Sequence, residues 1–179
     1  MDLQDFNGDD LYFDEQLPEQ VAHRLADAAR RYAGGTAEQP LLEAQELAPD
    51  SLIVLVGLYR FYYYQHRYQD ALAIAARAMA CVAPRLGLPP VWRDVRLGHL
   101  AYAVEQGIGL LRFYLLSLKG AGYLCLRLGH FEQGKAMLAK VVELDAGDRL
   151  GARLLLDVLA ENDAEILPFP TVPAMETQP

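Results

Sequence analysis

The side chains with the widest chemical repertoire in this chain are four histidines and two cysteines. His66 and His130 fall at turns between predicted helices of two different units, and sharing a metal or a proton would need a proximity that turns tens of residues apart do not supply. His23 and His99 stand alone on predicted helices. Cys81 and Cys125 lie in apolar helical surroundings with no CxxC or Cys/His spacing, which predicts buried, reduced thiols and neither a disulfide nor a metal site. Near the start, Asp5, Asn7 and Asp9 alternate as they do in a calcium loop. Asp10 stands where the turn needs Gly and Gln16 where the loop needs its closing Glu, so the match fails. With no Gly-rich phosphate loop, GxSxG elbow or HExxH, the expectation is a protein that is not an enzyme and uses no cofactor and no metal.

Charge divides the chain more sharply than its total of −8 indicates. Residues 1–50 carry 3 basic and 12 acidic side chains, residues 51–160 carry 13 and 8, and residues 161–179 carry 0 and 4. Acid thus gathers at both ends around a mildly basic, Arg-bearing middle, and one acidic end lying against that middle is the sharper expectation beside a merely solvated one. The net acidity argues against nucleic acid, which requires a dominant basic face. Seven carboxylates and no Lys or Arg over Met1–Glu19 are the opposite of a cationic signal or transit peptide, so the expected location is cytoplasmic. The most apolar runs, Leu52–Tyr59 and Phe113–Leu118, end at Arg60, Arg112 and Lys119, well short of the ~20 residues that span a bilayer. No membrane contact is expected.

The elements that must carry these residues read as helices. Apolar residues recur at three and four spacing in Val21, Leu25, Ala28, Ala29 and Tyr32, and Gly34-Gly35 ends that stretch. Further helices are predicted over Pro40–Ala48, Ser51–His66 with an N-cap at Asp50-Ser51, and Gln69–Val82. Pro90 opens a segment that ends near Gly107 or Gly109, followed by Leu110–Leu128, Phe131–Leu144, and a last helix from an N-cap at Asp148 to Leu159. No stretch alternates with period two, which gives an all-α chain of about eight helices.

Within this pattern the chain repeats itself. Tyr68, Ala71, Ala75, Ala78 and Ala83 recur 63 residues on as Phe131, Gly134, Leu138, Val141 and Ala146, small or apolar at each place. A shift of 34 in the other direction sets Ala37, Leu41, Ala44 and Pro49 against Ala71, Ala75, Ala78 and Ala83. The stretches LIVLVGLYRFYYYQHRYQDALAIAARAMACVAP and LLSLKGAGYLCLRLGHFEQGKAMLAKVVELDAG resemble tetratricopeptide repeats. The second carries the small pair Ala121-Gly122, the turn Gly129-His130-Phe131 and the ELDAGD ending of that family. The resemblance implies a TPR-like array of helical hairpins with units at about 18–51, 52–85 and 115–148. The first unit is degenerate, with Arg24 where an apolar residue belongs. Around the array the expected parts are an acidic leader over 1–17, an inserted helix at about 90–106, a capping helix at about 148–160 and a Pro-rich tail over 163–179. Leu150, Leu154, Val158 and Leu159 are the expected covering face of the capping helix, whose helical domain runs over 18–162.

The resemblance further implies that first helices line a concave groove that binds a protein segment. The groove positions are Ile53, Val56, Arg60 and Tyr63 in the second unit and Leu116, Lys119, Tyr123 and Leu126 in the third, with Glu19, Ala22, Ala26 and Ala29 from the first. Arg60, Tyr63, Lys119 and Tyr123 are the expected anchors, suited to apolar residues beside a carboxylate. Tyr59, Tyr62 and Tyr68 match packing positions rather than a base-stacking platform. The subgroup that clamps a terminal carboxylate needs Lys and Asn where this chain has Ala22, Ala26, Gly57, Leu116 and Gly120, so that clamp is absent. In size and acidity the chain is similar to type III secretion translocator chaperones, and LRFYLLSLKGAGYLCLRLG is similar to small repeat proteins encoded beside nitrogen-fixation genes. The expected function is an adaptor or chaperone holding a peptide or helix of a protein client. The alternatives are a secretion-type chaperone, a self-associating structural subunit or homodimer, and an accessory protein of a metabolic gene cluster. The apolar tail residues Ile166, Leu167, Phe169 and Val172 make a further candidate ligand for the groove.

Overall fold

Ser51 starts the helix that organises the middle of the molecule. Its hydroxyl accepts the Val54 N–H at 3.4 Å, the N-cap bond expected from the sequence. A computed structural model describes residues 15–165. The leader and tail expectations that fall on residues 1–14 and 166–179, including the calcium-loop positions Asp5 and Asp9, lie outside the described residues. The chain is all-helical there, with no strand among the described residues.

Among the described residues seven α-helices follow in order: α1 (Glu19–Arg31), α2 (Glu38–Leu47), α3 (Leu52–Tyr64), α4 (Tyr68–Val82), α5 (Leu97–Arg127), α6 (Phe131–Leu144) and α7 (Ala152–Glu165). α1 has Glu19 in its first turn and Arg30 and Arg31 in its last, charges that suit the helix dipole at both ends. It closes through a short 3₁₀ turn at Gly35, whose left-handed φ of 71° needs a glycine. Each helix packs chiefly against its neighbours in sequence, forming a run of hairpins around one apolar core. Tyr114 and Phe113 are the largest side chains sealed inside it.

The recurrence at 63 residues has a structural counterpart in the helix ends. After α3, His66 takes a left-handed φ of 58° and the Arg67 N–H reaches back to the Tyr62 carbonyl at 2.9 Å. After α5, Gly129 takes φ 81° and the His130 N–H reaches the Cys125 carbonyl at 2.8 Å. Both are Schellman closures at equivalent positions, and they turn α3 into α4 and α5 into α6.

The segment between these hairpins corrects one expectation. The inserted helix begins at Leu97 rather than Pro90, because Val91 and Val95 are extended on either side of a single 3₁₀ turn at Trp92–Asp94, and the chain stays extended through Arg96. The backbone leaves helical geometry at Gly107, an expected end of the inserted helix, and α5 is two helical segments joined end to end across that kink, the first lengthening the second. Lys140 of α6 holds the approach by donating to the Val95 carbonyl at 3.1 Å, and the Tyr102 ring lies where a side chain on Gly87 would stand.

The last helix also differs. The Asp148 carboxylate caps it by accepting the Arg153 N–H at 3.1 Å, but the Asp148 backbone turns at φ 45° and the Asp145 carboxylate takes the Leu150 N–H at 2.8 Å, so α7 starts only at Ala152. The buried face of α7 is Ala152, Leu155, Leu156 and Leu159, whereas Leu154 (67% exposed) and Val158 (48%) point outward. No helix among the described residues is long and apolar enough to cross a membrane.

Candidate functional site

An open cleft of about 650 Å³ lies between α1, α2 and α3. From α3 it receives Ile53, Val56, Gly57, Arg60 and Tyr64, positions that recur every three or four residues and therefore form one stripe along the helix. From α1 it receives Leu25, Ala28 and Ala29, from the 3₁₀ turn that follows it Tyr32, and from α2 Leu41. Gly57 is required for the close approach: a methyl there would lie 3.1 Å from a Leu41 methyl carbon. Among the described residues, Arg60 is the one charged side chain lining this cleft. Burial pushes the Tyr32 phenol above its ordinary value, and the nearby Arg60 guanidinium opposes that shift. Tyr32 also meets the Phe61 ring edge-on at 6.2 Å, which steadies the far wall.

A second, smaller cleft of about 220 Å³ opens where α3, α5 and α7 meet, lined by Tyr59, Tyr63, Lys119, Tyr123 and Leu154. Its aromatic side is a packed cluster, with the Tyr63 ring 6.1 Å from Tyr59, 6.0 Å from Tyr68 and 6.4 Å from Tyr123. Arg127 ties the cluster together, lying 4.7 Å over the Tyr68 ring and donating to the Tyr123 hydroxyl at 2.9 Å. The Lys119 ammonium donates to the Leu150 carbonyl at 2.7 Å and so anchors the start of α7.

The expected groove is therefore split. Ile53, Val56 and Arg60 come together with α1, while Tyr63, Lys119 and Tyr123 come together on the adjacent face of α3 beside α7. Leu116 is 1% exposed, inside the core, and Leu126 packs against Gly134 of α6, so neither faces a groove. Of the first-unit positions only Ala29 lines the cleft, and Glu19, Ala22 and Ala26 are exposed elsewhere on α1. The lining residues missed are Leu25, Ala28, Tyr32, Leu41, Gly57 and Tyr64. Leu25 and Tyr32 carry a visible signal, the same seven-residue spacing that marks the apolar face of α1.

Groups with other chemistry are spoken for. His99 Nδ1 accepts the Arg96 N–H at 2.9 Å at the start of α5, and His66 Nδ1 is 2.9 Å from the Tyr68 hydroxyl. Burial raises the thiols of Cys81 and Cys125, and the Asp50 carboxylate that accepts from Cys81 at 3.4 Å raises the first further, which keeps both in the weakly nucleophilic thiol form. Among the described residues no three His, Cys, Asp or Glu side chains gather as a metal site would require.

No family model matches the chain, and no solved structure matches it. At the level of sequence it is 68% identical, over all 179 residues and the full length of both proteins, to an uncharacterized 19.8 kDa protein in the nifW 5′ region of Azotobacter chroococcum mcd 1. An identity that high along both whole chains puts them in one family: this chain belongs to the family of that Azotobacter protein.

Proposed function

We propose that this protein is a tetratricopeptide-like hairpin array that acts as an adaptor or chaperone, holding a segment of a protein client in the α1–α3 cleft. The observation that carries the reading is the cleft itself: about 650 Å³, open, walled by Leu25, Tyr32, Ile53 and Val56, with the Arg60 guanidinium as the single charge among the described residues that line it. Such a surface favours apolar anchors next to one carboxylate, because the anchors supply buried area and the ion pair fixes register. The second cleft is a weaker candidate because it is the smaller, about 220 Å³ against 650 Å³. The relative's position in the nifW 5′ region supports testing products of that gene neighbourhood as the first clients.

The test uses the full chain and its Arg60→Glu and Ile53→Glu variants as bait, followed by titration of any recovered client. Loss of at least roughly tenfold in affinity with both variants is the expected result for an anchor pair of this kind. Equal recovery of every partner by all three proteins would sink the cleft assignment.

A second reading, self-association, is favoured by Leu97 and Val104, seven residues apart on the first segment of α5 and 57% and 44% exposed. Light scattering at high concentration tests it. A monomeric mass that is unchanged in Val104→Asp would remove this alternative.

A further inference from the structure

Glu15, the first residue described, is bound to the start of α3. Its carboxylate accepts from the Ser51 hydroxyl at 3.1 Å and from the Ile53 N–H at 3.2 Å. Ile53 itself lines the α1–α3 cleft, so Glu15 is held at one end of that cleft. Residues 1–14 contain five aspartates, no Lys or Arg, and the apolar residues Leu3, Phe6, Leu11, Tyr12 and Phe13. The cleft offers the complement, apolar walls and one guanidinium.

Reach is ample. From Ile53 to Tyr64 the helix advances about 17 Å, whereas 14 extended residues cover up to roughly 46 Å. Asp9 and Asp10, five or six residues before Glu15, come within range of Arg60, which is only about 10 Å along α3 from Ile53. The Pro-rich tail is a poorer occupant. It leaves from α7, which packs on α6, and its acidic side chains Asp163, Glu165 and Glu176 are fewer than the five aspartates of residues 1–14.

We infer that the acidic leader, residues 1–14, is the intramolecular occupant of the α1–α3 cleft, with Tyr12 and Phe13 against its walls and an aspartate on Arg60. The leader then competes with any client for the same surface, and what displaces it must match its chemistry of aromatic anchors set among carboxylates. The contact itself stands whether or not a client exists.

The test is photo-cross-linking of the full chain with benzoylphenylalanine incorporated at Tyr12. Links within one chain to peptides from Leu25–Tyr32 or Ile53–Tyr64, at a yield independent of protein concentration, are expected. Links to other helices only, or only between chains, would overturn the inference. In the full chain, Tyr12→Asp with Phe13→Asp should raise the fluorescence of an added hydrophobic dye by roughly threefold as the cleft opens. An unchanged signal with helical content retained would also overturn it. Should the cross-link form while Arg60→Glu leaves every client bound, the leader is a permanent cover and it is the client reading that fails.

Discussion

Gly134 of α6 and Gly122 of α5 face one another so closely that each would meet the other's backbone if it carried a side chain. A Cβ on Gly134 would lie 2.8 Å from the Gly122 carbonyl oxygen, and one on Gly122 would lie 3.2 Å from the Gly134 oxygen. The pair sets the distance between these helices, and with it the seat of Leu126 against Gly134. Overpacking of this kind costs about 1–3 kcal/mol, and the better helix propensity of Ala returns only ~1 kcal/mol. Gly134→Ala should therefore lower the urea midpoint with an unchanged slope, and Gly122→Ala should do so by less. Wild-type midpoints for both would mean the helices have room to spare.

The equivalent left-handed positions at the ends of α3 and α5 predict opposite responses. Gly129→Ala places a Cβ at φ 81° and should cost about 1 kcal/mol, or about 2–4 °C in melting temperature. His66→Gly removes strain of the same size at φ 58° but gives up the Tyr68 contact, leaving a small net gain. Thermal melts of the two variants compare the signs directly.

Alkaline pH should weaken the fold through Tyr114. Burial pushes its phenol up to about 12 from the ordinary 10.0. Below the unfolded value the two states hold the same proton and the stability is complete; as pH rises toward the folded value the unfolded chain releases it first, and stability falls by about 2–3 kcal/mol in all. Tyr32 and Tyr62 shift in the same direction and add to the slope. Urea unfolding at about pH 9 and about pH 11.5 should show a smaller drop in Tyr114→Phe than in wild type.

Glu15 is expected to matter to α3 although it lies outside every helix. Glu15→Ala removes both bonds at the helix start and should cost about 1–2 kcal/mol, since Ser51 then caps alone. Amide exchange should rise most at Ile53 and Val54. If exchange there stays at wild-type rates, the carboxylate is not holding the helix.

Much of this was legible because the signals are local. The N-cap at Ser51, the turn Gly129-His130-Phe131 and the small residue at Gly134 each act within a few positions of their own place, and each does in the structure what its type predicts. The groove was half legible for the opposite reason. Spacing identifies a face of α3 but not the helix that faces it, so Ile53 and Arg60 were separable from Lys119 only once α1 and α7 had positions. In α7 the run Leu154-Leu155-Leu156 offers apolar residues on several sides, and contact with α6 selects Leu155, Leu156 and Leu159. Arg24, an apparent departure from the repeat, is an ion pair with Glu43 of α2 at 3.0 Å. Glu15 left no trace in sequence because its partner lies 38 positions away.

The habit of each helix to pack on the next one in sequence has a kinetic consequence. Contacts that close short loops carry little entropic delay, so the chain has low contact order and belongs among proteins that fold on the microsecond-to-millisecond scale. Cooperativity along such a row is limited to neighbours, and opening should start where a helix has only one. The two ends, α1 with its cleft and α7 with its outward Leu154, are thus the first parts to loosen, so the region proposed to bind is also the region that can open without unfolding the centre.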